Sequence, residues 1–310
     1  MLPQLVRRVG LMIFTVWGAV SLTFVILRLA PGDQATVQLG PDATAADVSA
    51  LREELGLNRP MLVQYLDYLG SAITGDFGES YRFRESAMTV VLDRFPATVL
   101  LTVTASALAL TIGLLLGVLA GRSPGRLVDR VISGITLVMQ AIPSFWSGIM
   151  LILLMALTLR LLPSAGSGDL RHLVLPAITL AIPFTAIVAR ITRSSVAEVT
   201  TEPYILTARS KGLSERAVLT RHAVRNSVIP VVTIVSLHIG TLMGGAVIVE
   251  QVFAWEGVGS LLVGAVGNRD YAIVQAATVL LAIVVVTMNL LADVLNSRLD
   301  PRIRAGATTS

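Results

Sequence analysis

Apolar residues in this chain gather into long runs rather than into the short rhythms of a soluble core. Six uncharged stretches reach, or nearly reach, the about 20 residues that cross a hydrocarbon core. They are Val9–Leu27, Pro96–Gly121, Val131–Leu159, Leu173–Ala189, Asn226–Val249 and Tyr271–Ala292. The pattern predicts an all-α polytopic membrane protein with six transmembrane helices. The fourth stretch is the weakest: it has 17 residues, with Pro176 and Pro183 inside, and spans only by borrowing polar residues from its flanks. The third holds Pro143 within Ala141–Trp146, which predicts a kink or break there. The fifth holds Gly240, Gly244 and Gly245, small enough for close helix approach. Packing is the commoner role of such glycines. With Pro143, Phe145 and Trp146 they are the candidate gating or translocation residues. Arg7 and Arg8 precede the first stretch as they would a signal peptide. Its apolar run exceeds the about 7–15 residues of such a segment, and Arg28 interrupts the small-residue site before Ala30, so a retained anchor is expected.

Two polar intervals are too long and too patterned to be plain connectors. In residues 31–95, Thr44 and Asp47 form a capping-box spacing ahead of Val48, Leu51 and Leu55, and Gly56 closes the run. A second helix is expected from near Pro60, carrying Leu62, Tyr65, Leu66 and Leu69, with a turn at Gly75–Gly78. This predicts a small helical domain outside the membrane; the plainer alternative is a solvated loop. The other interval, 198–230, is basic and carries strong helix punctuation. Pro203 suits a first helical position, and Gly212 suits the residue past a helix end. A short helix over Pro203–Lys211 follows. Ser214 is then the N-cap of a second helix running towards the membrane.

Composition and charge sharpen this organisation. The chain of 310 residues is 54% hydrophobic and 14% charged, with a mean hydropathy of +0.76; soluble domains carry roughly 25% charge. With the N-terminus inside, the inner segments hold 15 basic residues and the outer ones, from Pro31 onward, eight. The positive-inside rule therefore places both termini in the cytoplasm. There is no cysteine, hence no disulfide or thiolate metal site. No charge lies near the middle of any span, where ion-coupled carriers place their ligands. Glu250 and Asp293 sit at span ends, and His238 in the fifth span suits a packing residue better than a proton relay. The only lysine, Lys211, lies outside any P-loop, so the chain has no ATP site of its own. Ser167 and His172 lie near each other in an outer small-residue turn, a weak basis for a hydrolase. No metal site and no nucleic-acid signature is expected.

The interval 198–230 resembles the coupling loop of ABC-transporter permeases of the oligopeptide, dipeptide and nickel import family. The matching residues are Glu202, Tyr204, Ile205, Thr207, Ala208, Arg209, Lys211, Gly212 and Leu213, then Arg221, His222, Ala223, Arg225, Asn226, Ile229 and Pro230. The resemblance continues along the chain in Pro31–Asp33, Leu55–Pro60, Gly75–Gly78, Arg94–Thr98, Ile142–Trp146, Leu161–Pro163, Asn268–Tyr271 and Leu299–Arg302. Glu256 departs from it, since the family often has proline there. The resemblance implies a type I importer half-channel: helix 1 within 1–30, an extracytoplasmic helical domain at 31–95, a five-helix permease core at 96–299 and a cytoplasmic tail at 300–310. It implies a second permease subunit, two ATPases carrying ATP and magnesium, and an extracytoplasmic binding protein that delivers peptides across a bacterial inner membrane. Pro203–Lys211 would move as a rigid body under ATP-driven closure, and the second helix would pass the motion to the fifth span. Tyr204, Ile205, Ala208 and Leu213 would be the apolar contacts in an ATPase groove, with Glu202, Arg209 and Lys211 at the rim. Two alternatives remain at this level: a loop held flat by anionic lipid, and a secondary carrier or channel that works without an ATPase.

Overall fold

The computed structural model describes residues 2–29, 34–40, 42–212 and 225–299. Among them the chain is helical apart from turns and one isolated bridge between Glu79 and Ser86. The helices are α1 (Leu2–Leu29), α2 (Gln34–Leu39), α3 (Ala45–Glu54), α4 (Met61–Thr74), α5 (Ala87–Gly121), α6 (Leu127–Ala141), α7 (Ser144–Leu151), α8 (Leu170–Thr200), α9 (Pro203–Ser210), α10 (Arg225–Phe253), α11 (Val258–Asn268) and α12 (Tyr271–Leu299). Four helices hold stretches long and apolar enough to cross a membrane: Gly10–Leu29, Ala87–Gly121, Leu170–Thr200 and Tyr271–Ala292. The number reaches six if α6 with α7, and α10 with α11, are each one broken span.

The chain divides into two compact units, Met1–Thr98 with Glu256–Thr287, and Val99–Trp255 with Met288–Ser310. The first is built on aromatic contacts. Phe24 of α1 lies 5.3 Å from the Tyr65 ring and 5.9 Å from the Tyr68 ring of α4, and Tyr68 meets Phe77 at 6.3 Å. The Ser21 and Tyr65 hydroxyls share a hydrogen bond of 2.6 Å. Val90, Val91, Ile273 and Ala277 complete this core. The capping box forms as the spacing predicts. Asp47 N–H donates to Thr44 Oγ1 at 3.2 Å, and Thr44 N–H donates to Asp47 Oδ2 at 3.1 Å. The Thr44 hydroxyl and amide hold the Asp47 carboxyl below its ordinary range. The 75–78 turn is present too, with Gly78 N–H donating to Asp76 Oδ1 at 3.1 Å. Polar ties join the 80–98 stretch to the start of α11 and α12: Ser80 donates to Asp270, Tyr81 to the Asn268 carbonyl, Arg94 to Glu256, and Val258 N–H to Thr98 Oγ1 at 2.9 Å. Glu256, the residue that departs from the family pattern, is thus half of an ion pair with Arg94.

In the second unit α8 is the enclosed helix, with α6, α7 and α10 packed on it. The 17-residue stretch that looked too short to span is the middle of this continuous 31-residue helix, with both prolines inside it. The third predicted span, in contrast, is broken. Leu127–Ala141 and Ser144–Thr158 meet at 101°, with Pro143 at the corner. Beyond α7 the chain continues as a π-helix over Ile152–Thr158, closed by Leu159 N–H to Leu154 O at 2.9 Å.

Candidate functional site

The junction of α8 and α9 follows from its residues. Thr201 and Glu202 end α8 in a tight turn, their N–H groups donating to Glu198 O at 3.1 Å and Val199 O at 3.2 Å. Pro203 opens α9, where the N–H it lacks would have had no helical acceptor. The helix closes with Lys211 N–H on Thr207 O at 3.1 Å, and Gly212 follows at φ +80°. A side chain at that φ is strained, which is why glycine suits the stop. The sequence-based range ended at Lys211, one residue beyond the observed end. Glu202, Pro203, Tyr204, Lys211 and Gly212 are exposed. Ile205 differs from expectation: it is fully buried, with Val199 of α8 against it. One face of a short helix must be covered to hold it, so Ile205 anchors α9 to α8 and is not on the free face with Tyr204. Leu213 and Ser214, with the second helix start, lie outside the described residues, as do the side chains of Ala208 and Arg209.

The other predicted residues fall on α7 and α10, which pack on each other and on α8. Pro143 takes φ −61° and ψ 138° at the corner before α7, and Phe145 and Trp146 stay about half exposed, at 49% and 46%. Close approach holds at Gly245, where an added Cβ would meet Leu180 Cδ1 at 3.3 Å, and not at Gly244, which has open space. Gly240 is half-buried in α10. His238 stacks on Phe184 with ring centroids 6.1 Å apart, as a packing residue would. Glu250, at the end of the fifth predicted span, is fully buried. His172 serves the N-terminus of α8. Asp169 caps that helix by accepting from the N–H groups of Arg171 and His172 and contacts His172 Nδ1 at 2.8 Å. The His172 ring, ahead of the backbone donors, keeps the Asp169 carboxyl below its ordinary range. Among the described residues no three His, Asp or Glu side chains gather as a metal would need.

Two features that brace α8 were not picked out from sequence. The first is a glycine ladder on α5. A Cβ at Gly113 would meet Val188 Cβ at 2.7 Å, one at Gly117 would meet Thr192 Cβ at 2.4 Å, and one at Gly121 would meet Arg193 O at 2.7 Å. Real side-chain atoms do not approach that closely, so only glycine permits the contact. The four-residue spacing of Gly113, Gly117 and Gly121 was a legible signal of a packing stripe. The second is an ion pair. Arg193 of α8 grips both carboxylate oxygens of buried Asp129 on α6, one bond being Nη2 to Oδ2 at 2.7 Å. Gly125 N–H donates to the same oxygen at 2.8 Å, and Ser133 approaches the other at 3.3 Å. Beside this pair, Arg190 donates to Gln140 Oε1 at 2.9 Å, at a cavity of about 170 Å³.

Residues 113–305 match the family described as "Binding-protein-dependent transport system inner membrane component", and residues 1–102 match its N-terminal companion, "Binding-prot-dependent transport system membrane comp, N-term". The chain belongs to this family. It is a transmembrane permease subunit of an ABC importer and a multi-pass membrane protein. The permease is 39% identical to the di/tripeptide transport system permease protein DppB of Pseudomonas aeruginosa and to the oligopeptide transport system permease protein AppB of Bacillus subtilis. It is 37% identical to the glutathione transport system permease protein GsiC of Escherichia coli. Each comparison covers 98% of this chain and 99% of the relative. Among solved structures, the MetNI methionine ABC transporter in an inward-facing conformation matches with a TM-score of 0.58 at 20% identity, over 69% of the permease and 97% of that chain. A crystal structure of an amino acid ABC transporter with histidines matches with a TM-score of 0.54 at 16% identity, over 68% and 94%. At these identities the likeness concerns the fold.

Proposed function

We propose that the permease forms half of the translocation pathway for short peptides. In this proposal an extracytoplasmic binding protein delivers the peptide, a second permease completes the channel, and two ATPases bind ATP and magnesium and dock on α9. The chain itself binds no cofactor. It sits in a bacterial inner membrane with six spans and both termini in the cytoplasm; residues 31–95 stand on the outer side, 96–299 form the core and 300–310 the tail. The observation that carries the coupling role is α9: a short helix exposing Glu202, Tyr204 and Lys211, pinned through Ile205 to α8 and stopped at Gly212. A helix held on one face and bare on the other suits transmission of a push. The substrate class is supported by relatives named for di/tripeptides, oligopeptides and glutathione, itself a short peptide. Ala208, Arg209 and Leu213 belong to the same docking surface in this proposal. Pro143, Phe145, Trp146, Gly240, Gly244 and Gly245 belong to the gate.

Reconstitution tests it. The permease in liposomes with its partner permease, ATPases and binding protein should take up labelled di- and tripeptides only when ATP is supplied on the ATPase side. Uptake by the lone chain driven by an ion gradient would replace the proposal with a secondary carrier.

A further inference from the structure

The helix α4 has more apolar surface than its packing uses. Tyr65, Tyr68, Leu69 and Ala72 face the aromatic core and α1. Leu62, Leu66 and Ile73 form a second stripe, within about 40° of one another at 100° per residue. They are 69%, 57% and 87% exposed. The polar arc is separate. Gln64 Nε2 donates to the carbonyls of Leu57 at 3.1 Å and Arg59 at 2.7 Å, and Asp67 pairs with Arg59 at 3.2 Å. The bare stripe therefore has no polar side chain of its own helix to shield it.

Its depth is set by its neighbours. A groove of about 410 Å³ runs between α1, α4 and α12, with Ile13, Trp17, Leu69, Ile73, Ile283 and Val286 on its walls. The α1 walls lie within the candidate span Gly10–Leu29, and the α12 walls within Tyr271–Ala292. Val20, also on its wall, is about 14 Å along the helix from Leu29 at 1.5 Å per residue, within the outer half of a core of about 30 Å. The end of α4 that shares this groove is level with the hydrocarbon core, not with water above it. At 14 residues, α4 is about 21 Å long, too short to cross about 30 Å. At its ends Gly75 N–H donates to Ser71 O at 2.8 Å, and Val63 N–H to Pro60 O at 2.9 Å.

We propose that α4 is a half-helix immersed in the outer leaflet, with Leu62, Leu66 and Ile73 against lipid, and that a phospholipid acyl chain fills the groove beside α1 and α12. The groove continues the bare apolar surface of α1 at Phe14 and Leu22, which a span presents to lipid. Its nearly wholly apolar walls suit a hydrocarbon chain rather than a peptide or a headgroup. The 31–95 interval is then part outer domain and part membrane.

The chain has no cysteine, so single thiols can be placed without other changes. Leu66→Cys, Ile73→Cys and Asp67→Cys are each spin-labelled in the complete transporter in nanodiscs, using only variants that co-purify with their partners. Labels at 66 and 73 should relax faster with oxygen, which concentrates in lipid, than with a water-soluble nickel chelate, and the label at 67 should show the reverse. Ile73→Trp supplies a second measurement: its fluorescence should be quenched by phosphatidylcholine brominated on the acyl chain. Fast relaxation by nickel at 66 and 73 would overturn the proposal in favour of a fully aqueous outer domain. Protection from both relaxers, with no bromine quenching, would overturn it in favour of a partner subunit covering the stripe.

Discussion

Asp129 and Gly117 show how much of this permease rests on single positions. Asp129 is buried and spends its carboxylate on Arg193, Gly125 and Ser133. Removing it leaves the guanidinium without its bidentate acceptor. For a fully buried pair the loss is about 3–5 kcal/mol, but Arg193 keeps solvent on one side, so about 2 kcal/mol is expected for Asp129→Ala. Thermal unfolding of the purified permease checks this. Asp129→Ala with Arg193→Ala should cost less than the sum of the single changes, since the two act as one unit. Gly117 makes the other sharp case. Its added Cβ would lie 2.4 Å from Thr192 Cβ and 2.6 Å from Ala189 O, which is backbone and cannot swing away. Gly117→Val should lower stability by about 1–3 kcal/mol through overpacking. Gly134, inside α6 with nothing within 4 Å of an added Cβ, is the control: Gly134→Ala should be neutral or stabilising by about 0.5–1 kcal/mol. Equal loss in both variants would mean the α5–α8 contact is looser than described.

At the scale of elements, α9 is a short helix whose orientation rests on its two ends and one buried side chain. Gly212→Val puts a β-branched residue at φ +80°, a strain of about 1–3 kcal/mol, relieved only by turning the helix end. Transport should fall while ATP hydrolysis persists. Normal transport with normal stimulation of hydrolysis by the loaded binding protein would count against this geometry. Ile205→Ala should produce the same split by a different route, loosening the packing on Val199. The caps explain why these elements were legible. Thr44 with Asp47, Pro203, Gly75 and Gly212 act on backbone groups a few residues away, so their effect is local and can be read without the fold. The burial of Ile205 was not legible, because it depends on the angle at which α9 returns to α8. The break at Pro143 was half legible: proline marks the site, but the 101° bend is set by what α6 and α7 pack against.

For the whole molecule, long apolar runs and the absence of midplane charge already marked a polytopic membrane protein, because a hydrocarbon core demands such runs whatever the helix arrangement. The interval 31–95 divides further. α3 has no buried residue, while α4 carries part of the aromatic core. Deleting residues 42–58 should therefore leave the transporter assembled with ATPase stimulation by detergent intact, and should weaken binding-protein docking, measured by co-purification. Loss of assembly would show that α3 supports the fold.

By itself the sequence determined that the chain crosses a membrane, where its local helix signals lie, and, through ordered motif matches along nearly its whole length, its family. Those properties follow from transfer of side chains into lipid and from backbone bonding within a turn or two. Only the tertiary structure decided that α8 is the braced helix, that Asp129 and Arg193 meet across 64 positions, that Ile205 faces inward and that α4 lies beside α1 and α12. Each of these depends on which helix faces are brought together. That is a property of non-local packing, and no single run of residues encodes it.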